Sequence, residues 1–483
     1  MVVISGMVGL VGWWGSGWWD GPEGRGSSVP GMGETWFTAE LAGRASSLQF
    51  DDLPADVVEL ARQCILDWFA VTVAGAGEPA ARIVTAELAE GAPPHGVTVV
   101  GTGARLAPHD AALANGTASH ALDYDDVNYA LNGHPTVATL PGTLALAEHL
   151  GASGRDLITA FVAGYETGCR VGRAAGREHY SRGFHATGTI GTFASAAACA
   201  RLMGLDAATT EQALGLAGTQ AAGLKSMFGT MAKPLHAGKA AANGLLAARL
   251  AARGFTAAPA VVETVQGFAE TQVEGFDPAR GLAEPKQGWH LRNNLFKYHA
   301  ACYRTHSAIE GLRRLVQEHE IDSASVTSVV IHADEGQMRM CAIGEPTTGL
   351  EAKFSLRHTA AFVMGGVDTA DIGVYDDAHA TDPALVELRE RIKVVADGAP
   401  DAPTLVELET AEGRLLRAAF DTDHPDPDVD GQRVRLEGKF AALTRPVLGT
   451  EGSRRLAELV ATVDSATSIG PLLAASVPAG AGR

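Results

Sequence analysis

The chain has 483 residues and a formal net charge of −18 at pH 7, with 46% hydrophobic and only 6% aromatic residues. A chain of this length exceeds what one hydrophobic core usually fills, which predicts two domains. The acidic balance argues against nucleic acid and anionic membranes as partners, because both require a basic surface. An anionic ligand must therefore bind at a local cluster of Lys, Arg and His.

The cysteines are scattered along the chain and form no CxxC pair and no zinc-ribbon spacing. This pattern gives no support for an iron–sulfur cluster, which is one known means of dehydrating a tricarboxylate. It fits a protein of the reducing cytosol. The five cysteines are Cys64, Cys169, Cys199, Cys302 and Cys341.

Residues 1–33 differ from the rest of the chain, with four tryptophans among Gly and Ser and no hydrophobic periodicity. A signal peptide is disfavoured, because the segment lacks a basic start and a small-residue cleavage site. We interpret it as a disordered extension or as a start codon placed too far upstream, with Met32 as the natural start. No later apolar run approaches about 18 residues, so the chain is predicted to be cytoplasmic.

From Thr38 onward the pattern is helical, with many Ala and Gly residues that favour closely packed helices. Asp156 is predicted to cap one of the helices, and Gly254 to end another. The predicted helices are 53–74, 157–171, 205–217 and 240–253.

The pattern changes near Gln287, where short β-branched and apolar runs alternate with helical pieces. The predicted strands are 326–333, 391–395, 403–408 and 415–420, and the predicted helices between them are 305–318 and 354–364. Helical pattern returns at 431–461, after a Pro- and Asp-rich linker at 421–430. The sequence thus predicts a mainly α protein: a large helical domain from residues 34–290 and 428–483, with an α+β lid domain at 291–427.

Two polar clusters interrupt the helical first half. Residues 119–126 read SHALDYDD and are followed by Gly133-His134-Pro135. Three carboxylates within four residues repel one another unless a cation or a raised pKa relieves them, although a solvated turn would explain them equally well. Residues 183–191, GFHATGTIG, place His185 before a Gly/Thr-rich helix start whose N–H groups could receive a carboxylate; tight helix packing is the alternative.

Two further clusters are basic. Lys233 lies before a proline and a small-residue helix in MAKPLHAGK, either at a buried site or at an exposed helix start. The segment 296–306, FKYHAACYRTH, combines two cations, two histidines and a thiol in eleven residues. In an acidic chain, such density indicates the anion site required above.

None of the clusters matches a zinc helix, a GxSxG nucleophile motif or a dinucleotide-binding GxGxxG. Acid/base chemistry on an anionic substrate, without metal or cofactor, is the remaining interpretation. In this order, HALDYDD with GHP, GFHATGTIG, MAKPLHAGKAAANG and FKYHAACYRTHSAIEG resemble the MmgE/PrpD family, from about Phe37 to Val460. That family includes 2-methylcitrate dehydratase, cis-aconitate decarboxylase and iminodisuccinate epimerase.

The resemblance implies a helical domain with an inserted lid, a homodimer, and a metal-free active site. The positions that match the family's active-site residues are Asp123, His134, His185, Lys233 and Lys297. Two positions depart from the decarboxylase-like members, which have threonine where this chain has Val127 and histidine where it has Cys302. Both departures weaken the transfer of decarboxylase activity in particular.

Proton removal next to a carboxylate requires a base and cations around the developing dianion. Lys233, Lys297 and Arg304 are the candidate cations, and either His134 or His185 exchanges the proton with carbon. The other histidine or Cys302 then serves the leaving hydroxyl or the opposite face, and Asp123 orients a histidine. Substrate binding is further assigned to Thr187, His299, Arg304 and His306.

The predicted reaction is dehydration of a hydroxy di- or tricarboxylic acid, as in 2-methylcitrate dehydratase. An epimerase or isomerase, a cis-aconitate decarboxylase and a non-catalytic carboxylate-binding relative are the alternatives. Alanine at Lys297 is expected to abolish turnover and to leave the melting temperature nearly unchanged.

Overall fold

The computed structural model describes residues 36–399 and 402–480, so the extension predicted for residues 1–33 lies outside the described residues. The described chain is mainly helical, which confirms the predicted fold class. Its helices are α1 (Phe37–Ser47), α2 (Ala55–Gly75), α3 (Pro79–Ala89), α4 (Pro108–His120), α5 (Pro135–Leu150), α6 (Gly154–Ser181), α7 (Ala186–Leu202), α8 (Ala207–Gly218), α9 (Ala232–Ala251), α10 (Phe268–Gln272), α11 (Pro278–Leu282), α12 (His306–Glu318), α13 (Glu335–Cys341), α14 (Gly349–Ala352), α15 (Leu356–Met364), α16 (Asp377–Ala380), α17 (Pro383–Glu390), α18 (Val429–Ala461) and α19 (Gly470–Ala475).

The helices of the first half pack closely through small side chains, as the composition predicts. Helix α7 packs against α5, α6, α8 and α9, and α4 packs against α9. Where α4 crosses α9, a Cβ added to Gly116 would lie only 2.7 Å from the Cα of Gly238. This approach brings the end of α4 and the start of α9, both of which carry polar clusters, to the same part of the molecule.

Two predicted helix starts were wrong. The N-cap of α6 is Ser153, whose side chain accepts from the N–H of Asp156, while Asp156 completes the capping box from the third helical position. Helix α9 starts at Ala232 rather than at residue 240, because Pro234 is tolerated within a first helical turn.

The strands are β1 (Val97–Thr98), β2 (Arg105–Leu106), β3 (Val326–His332), β4 (Ile392–Val395), β5 (Thr404–Thr410) and β6 (Leu415–Phe420). Strands β1 and β2 form a small antiparallel pair, and the other four form a separate sheet in the second half of the chain, with the order β4-β3-β5-β6. Strands β3 and β4 run parallel, with Val329 opposite Ile392, whereas β5 is antiparallel to both β3 and β6. Helix α12 packs on β5 and β6.

The closing helix α18 packs against α2, near the start of the chain. Its Lys439 forms a buried ion pair with Asp67 of α2, with 2.6 Å between Nζ and Oδ1. Gln432 donates to Gln63 at 2.8 Å. The buried apolar residues form one cluster among the helices and a second around the sheet; the domain boundaries at 290 and 428 stay a prediction. Among the described helices, none has both the length and the apolar character needed to cross a membrane.

Candidate active site

A cavity of about 310 Å³ lies where the ends of α4 and α6, the starts of α5, α7 and α9, and the segment 297–304 meet. All six residues predicted to be catalytic line it, and so does Arg304. The lining residues are Asp123, Val127, Tyr129, Asn132, Gly133, His134, Arg177, Tyr180, Ser181, His185, Phe228, Gly229, Lys233, Lys297, Cys302, Tyr303, Arg304, Met340 and Phe354.

The loop from α4 to α5 brings Asp123 and His134 to the cavity through two unusual backbone conformations. Asp123 has a φ of 53° and Asn132 a φ of 59°, in the left-handed region that Asp and Asn tolerate better than most residues. A Cβ on Gly133 would lie 2.7 Å from Oγ1 of Thr187, so the loop fits against α7 only with glycine there. Such backbone strain at a cluster of polar residues is typical of a functional site.

Asp123 holds two ammonium groups at the wall of the cavity. Nζ of Lys233 lies 2.8 Å and Nζ of Lys297 2.9 Å from the same oxygen, Oδ1, and Lys297 also donates to the Asp123 carbonyl at 2.6 Å. Burial acts to raise the pKa of Asp123, but the two lysines lower it well below its usual range. Burial likewise acts to lower the pKa of Lys297, and Asp123 and Asp125 raise it. Asp123 and Lys297 therefore form a charged pair at the cavity wall.

Asp125 is the carboxylate beside Nδ1 of His134, whereas Asp123, which was predicted to orient a histidine, lies on the side of Nε2. Nδ1 of His134 lies 2.8 Å from Oδ2 of Asp125 and 2.9 Å from the carbonyl oxygen of Asp126, whereas its Nε2 is 3.9 Å from Asp123. Asp125 stays ionised: burial acts to raise its pKa, but His120 and His134 lower it well below the usual range. Since both partners of Nδ1 only accept, Nδ1 carries a hydrogen, and in the neutral form of the ring Nε2 is the acceptor.

His185 lies at the N-cap position of α7 and is 2% exposed. Burial, followed by the charges of His120 and Lys233, lowers its pKa well below the usual range, so the ring is neutral at pH 7. Its Nδ1 lies 3.0 Å from Nδ1 of His236, and one of these two nitrogens must therefore carry a hydrogen. His236 thus controls which nitrogen of His185 carries a hydrogen.

Cys302 brings a thiol to the same cavity from the side of the sheet. It is buried, and its neighbour Cys341 lies in the same apolar cluster. A hydrogen bond from Cys341 lowers the pKa of the Cys302 thiol, against the effect of burial. The thiol is a group that can donate or accept a proton at this wall.

The rest of the lining combines cations with an apolar surface. Helix α6 breaks at Gly176, with φ 70° and ψ −172°, and the residues beyond the break, Arg177 and Tyr180, line the cavity. Arg304 lies opposite Asp423 at 3.5 Å and is about one third exposed. The apolar lining comes from Val127, Phe228, Met340 and Phe354. The cavity thus suits an anion that also carries a hydrocarbon part.

Three predicted substrate-binding residues lie outside this cavity. Thr187 is fully buried, and its hydroxyl accepts from the backbone N–H of His134 at 3.1 Å. His299 contacts Thr369 at 2.8 Å and Glu310 at 3.1 Å, and together with His306 it lines a second cavity of about 310 Å³ beside α18. Among the predicted substrate-binding residues, Arg304 is the one at the catalytic cavity.

Two imidazoles and two carboxylates gather below the cavity, with donor atoms within 4.8 Å of one another: His120, Asp123, Asp125 and His134. Such a set could hold a divalent metal ion. Here, however, the two ammonium groups already contact Asp123, and Asp125 bonds both imidazoles. A metal ion would have to displace these groups, and metal-free chemistry stays the prediction.

Sequence reasoning missed Asp125, His120 and His236 as members of the site. All three occur in the motifs that were singled out, HALDYDD and PLHAG, so the chemical signal was present. What was not visible is which carboxylate of the acidic triplet faces which ring, because that depends on the left-handed turn at Asp123.

Asp126, the third acid of the triplet, is buried and bonded by the Thr136 hydroxyl at 2.5 Å. Burial, with the charges of Asp67 and Asp125, raises its pKa to about 8, so it carries a proton at pH 7. The folded state then binds more protons than the unfolded state between about pH 4 and pH 8, and stability falls as the pH rises through this window.

The substitution Asp126→Asn is expected to remove this dependence. Urea unfolding at several pH values from 5 to 8 should show the wild type losing stability relative to the variant, by at most about 1.4 kcal/mol per pH unit. Parallel curves for the two proteins would show that Asp126 is ionised in the folded state.

The structure is that of a mainly α protein with a four-stranded sheet and with a cavity lined by histidines, lysines and a carboxylate, groups that suit acid/base chemistry. The chain belongs to the MmgE/PrpD family: residues 39–280 match the MmgE/PrpD N-terminal domain and residues 299–465 the MmgE/PrpD C-terminal domain. It is an enzyme of the lyase type or a related isomerase or decarboxylase.

The relatives include cis-aconitate decarboxylases from fungi and mammals. One from Aspergillus terreus is 28% identical over 92% of this chain and 97% of its own length. A second from that species is 34% identical over 60% of this chain and 62% of its own length. The human cis-aconitate decarboxylase is 37% identical over 34% of this chain and 35% of its own length.

Proposed function

We propose that the protein dehydrates a small hydroxy di- or tricarboxylic acid of the 2-methylcitrate type, by removing a proton from the carbon next to a carboxylate. The observation that carries the proposal is the position of His134, whose Nδ1 is held by two acceptors, beside two lysines that share Asp123. A base next to cations is what a carbanion mechanism requires.

In this mechanism, His134 takes the proton from carbon. Nδ1 donates to Asp125 and to the Asp126 carbonyl, which leaves Nε2 of the neutral ring as the atom that takes the proton, and the ring lines the cavity. A positioned general base contributes about 10²–10⁴-fold to the rate.

The charge that develops on the substrate carboxylate is stabilised by Lys233, Lys297 and Arg304. Both lysines are held in place by Asp123 before substrate binds, so little reorganisation is needed during the reaction. One such donor is worth about 2.7–4 kcal/mol in the transition state.

The leaving hydroxyl takes the Nε2 hydrogen of His185, and Nδ1 of His185 takes a hydrogen from Nδ1 of His236 in the same step, so this buried ring stays neutral. His236 is partly exposed and regains a hydrogen on Nε2 from solvent. When His236 donates to Nδ1 of His185, the hydrogen of His185 lies on Nε2, where it can be donated. The carbon–hydrogen electron pair forms the alkene, the carbon–oxygen bond breaks, and water leaves. The Cys302 thiol is the other acid at this cavity.

Decarboxylation of cis-aconitate is the second candidate, favoured by the names of the relatives. Against it stand Val127 and Cys302, the positions that depart from the decarboxylase-like members, because both line the cavity itself. An epimerase would use the same carbanion with Cys302 on the opposite face from a histidine. The epimerase would use the same base, whereas the decarboxylase would need an acid at this place, because loss of CO₂ leaves a carbanion that takes up a proton.

Proton NMR in D₂O with 2-methylcitrate, citrate, cis-aconitate and iminodisuccinate tests the proposal. We expect an alkene signal from 2-methylcitrate, with kcat/KM about 10–200-fold higher than for citrate, because the methyl group contacts the apolar lining. Itaconate formed from cis-aconitate would support the decarboxylase, and deuterium exchange without water loss the epimerase. If every acid stayed unchanged, the proposed function would be withdrawn.

A further inference from the structure

One buried carboxylate below the cavity is shared by two histidine rings. Oδ2 of Asp125 lies 2.8 Å from Nδ1 of His134, and Oδ1 lies 2.9 Å from Nδ1 of His120. Asp125 and His120 are each 1% exposed, and the two rings meet edge to face at 4.6 Å between centroids. Neither Asp125 nor His120 lines the cavity.

The hydrogen-bond partners fix where the hydrogens lie. Asp125 is ionised and accepts only, so each ring donates from Nδ1. Nε2 of His120 is buried without a hydrogen-bond partner in the part of the chain that the structure describes. Burial lowers the pKa of His120 to about 4, so this ring is neutral at pH 7 and only donates to Asp125.

We infer that Asp125 is a positioning residue that keeps the hydrogen of His134 on Nδ1 and stabilises the imidazolium formed during turnover, and that the bond from His120 moderates this effect. The inference rests on the proposed role of His134 as the base. A carboxylate behind a catalytic imidazole fixes both its tautomer and its orientation. The hydrogen bond from His120 partly neutralises the negative charge of Asp125, which weakens the interaction of Asp125 with His134.

Other titratable groups also surround His134, and they set the background for any pH measurement. These groups are Asp123 at 3.9 Å, the neighbouring rings of His120 and His185, and Lys233 and Lys297 on Asp123. The Asp126 side chain is protonated and contributes no charge at pH 7. The side chain that contacts Nδ1 of His134 is that of Asp125.

The first variant is Asp125→Asn, which keeps the shape but offers one acceptor and one donor to the two rings. One ring must then give up its Nδ1 hydrogen. We expect kcat to fall about 10–100-fold. The acidic limb of the kcat/KM profile should move to lower pH by about one unit, because the imidazolium loses its counter-charge. Asp110→Asn makes the same chemical change near the start of α4, on a side chain that is about one third exposed and does not line the cavity, and it is expected to keep kcat within about threefold.

The second variant, His120→Leu, separates positioning from mere packing. Without the His120 donor, Asp125 acts on His134 alone, and the acidic limb should move to higher pH. Opposite shifts in the two variants support the inference. Loss of kcat in both variants with unshifted limbs would show that Asp125 and His120 only stabilise the fold.

A third measurement needs no turnover and no substitution at Asp125. Nitrogen-15 NMR of protein labelled at histidine, assigned with a His134→Asn variant, reports which ring nitrogen carries the hydrogen in the wild type. Hydrogen on Nδ1 of His134 supports the positioning role even if no acid in the panel reacts. Hydrogen on Nε2 would overturn it whatever the activity.

Discussion

The substitution Lys233→Met is expected to lower kcat/KM for the substrate by about 10²–10³-fold, the effect of removing one donor from a charge-stabilising site. Its ammonium lies 2.8 Å from Asp123 and lines the cavity, where the substrate carboxylate gains charge. The fold should be little affected, because Asp123 keeps its second partner, Lys297. Steady-state kinetics with a thermal melt of the same preparation checks both expectations.

Lys239 provides the matched control, since it lies on the same helix, α9, and is exposed. Lys239→Met removes the same charge and should leave kcat/KM within about threefold, as expected for a surface substitution. Equal losses in the two variants would point to long-range charge rather than to the site. Activity of Lys233→Met close to that of the wild type would remove Lys233 from the mechanism.

From the sequence, alanine at Lys297 is expected to abolish turnover and to leave the melting temperature nearly unchanged. In the structure, Lys297 is a less clean test of the mechanism than Lys233. Its side chain is 2% exposed and donates to both Oδ1 and the carbonyl of Asp123. Removing it leaves a buried carbonyl without that donor, which costs about 1–3 kcal/mol. The structure therefore changes the expected outcome: Lys297→Ala should lower the melting temperature as well as turnover.

The fold class and the helices were predictable because hydrophobic periodicity and small-residue composition act locally. The strands β3, β4, β5 and β6 each fall within two residues of their predicted bounds. The start of α9 was missed by eight residues, because Lys233 and Pro234 resemble a loop in sequence although both lie in a first helical turn.

The residues that line the cavity were predictable from the sequence, but their contacts were not. The density of titratable residues in an acidic chain indicated the clusters, and the family resemblance indicated Asp123, His134, Lys233 and Lys297 within them. The sequence analysis expected Asp123 to orient a histidine without saying which one, and the acid that contacts Nδ1 of His134 is Asp125. When three acidic residues are one or two positions apart, the sequence does not show which of them contacts a given ring. That depends on the backbone turn at Asp123, which directs each side chain differently.

The positions of His299 and His306 could not be predicted from the sequence either. Their density in the segment FKYHAACYRTH suggested one common site, but the segment forms a wall between two cavities. Lys297, Cys302 and Arg304 line the catalytic cavity, while His299 and His306 line the other. Which side chain faces which cavity depends on the path of a non-helical segment, for which no sequence periodicity exists.

The largest stability effect is expected at the buried ion pair of Lys439 and Asp67, which joins α18 to α2. Nζ of Lys439 lies 2.6 Å from Asp67 and also donates to the carbonyls of Tyr124 at 2.7 Å and Lys297 at 2.9 Å. Lys439→Met leaves a buried carboxylate without its cation, which costs about 3–5 kcal/mol. Urea unfolding measures this loss directly.

The pH dependence of this loss identifies its cause. Burial already raises the pKa of Asp67 against the effect of Lys439, and removing the lysine raises it further. A carboxyl whose pKa is raised on folding loses stability as the pH rises above its unfolded value, so Lys439→Met should be more destabilised at pH 8 than at pH 5.5. The double variant Asp67→Leu with Lys439→Met should recover most of the stability, because no charge is then buried. If the double variant stays as unstable as Lys439→Met, the ion pair is not the cause of the loss. The bonds from Lys439 to the carbonyls of Tyr124 and Lys297 would then be what holds α18 in place.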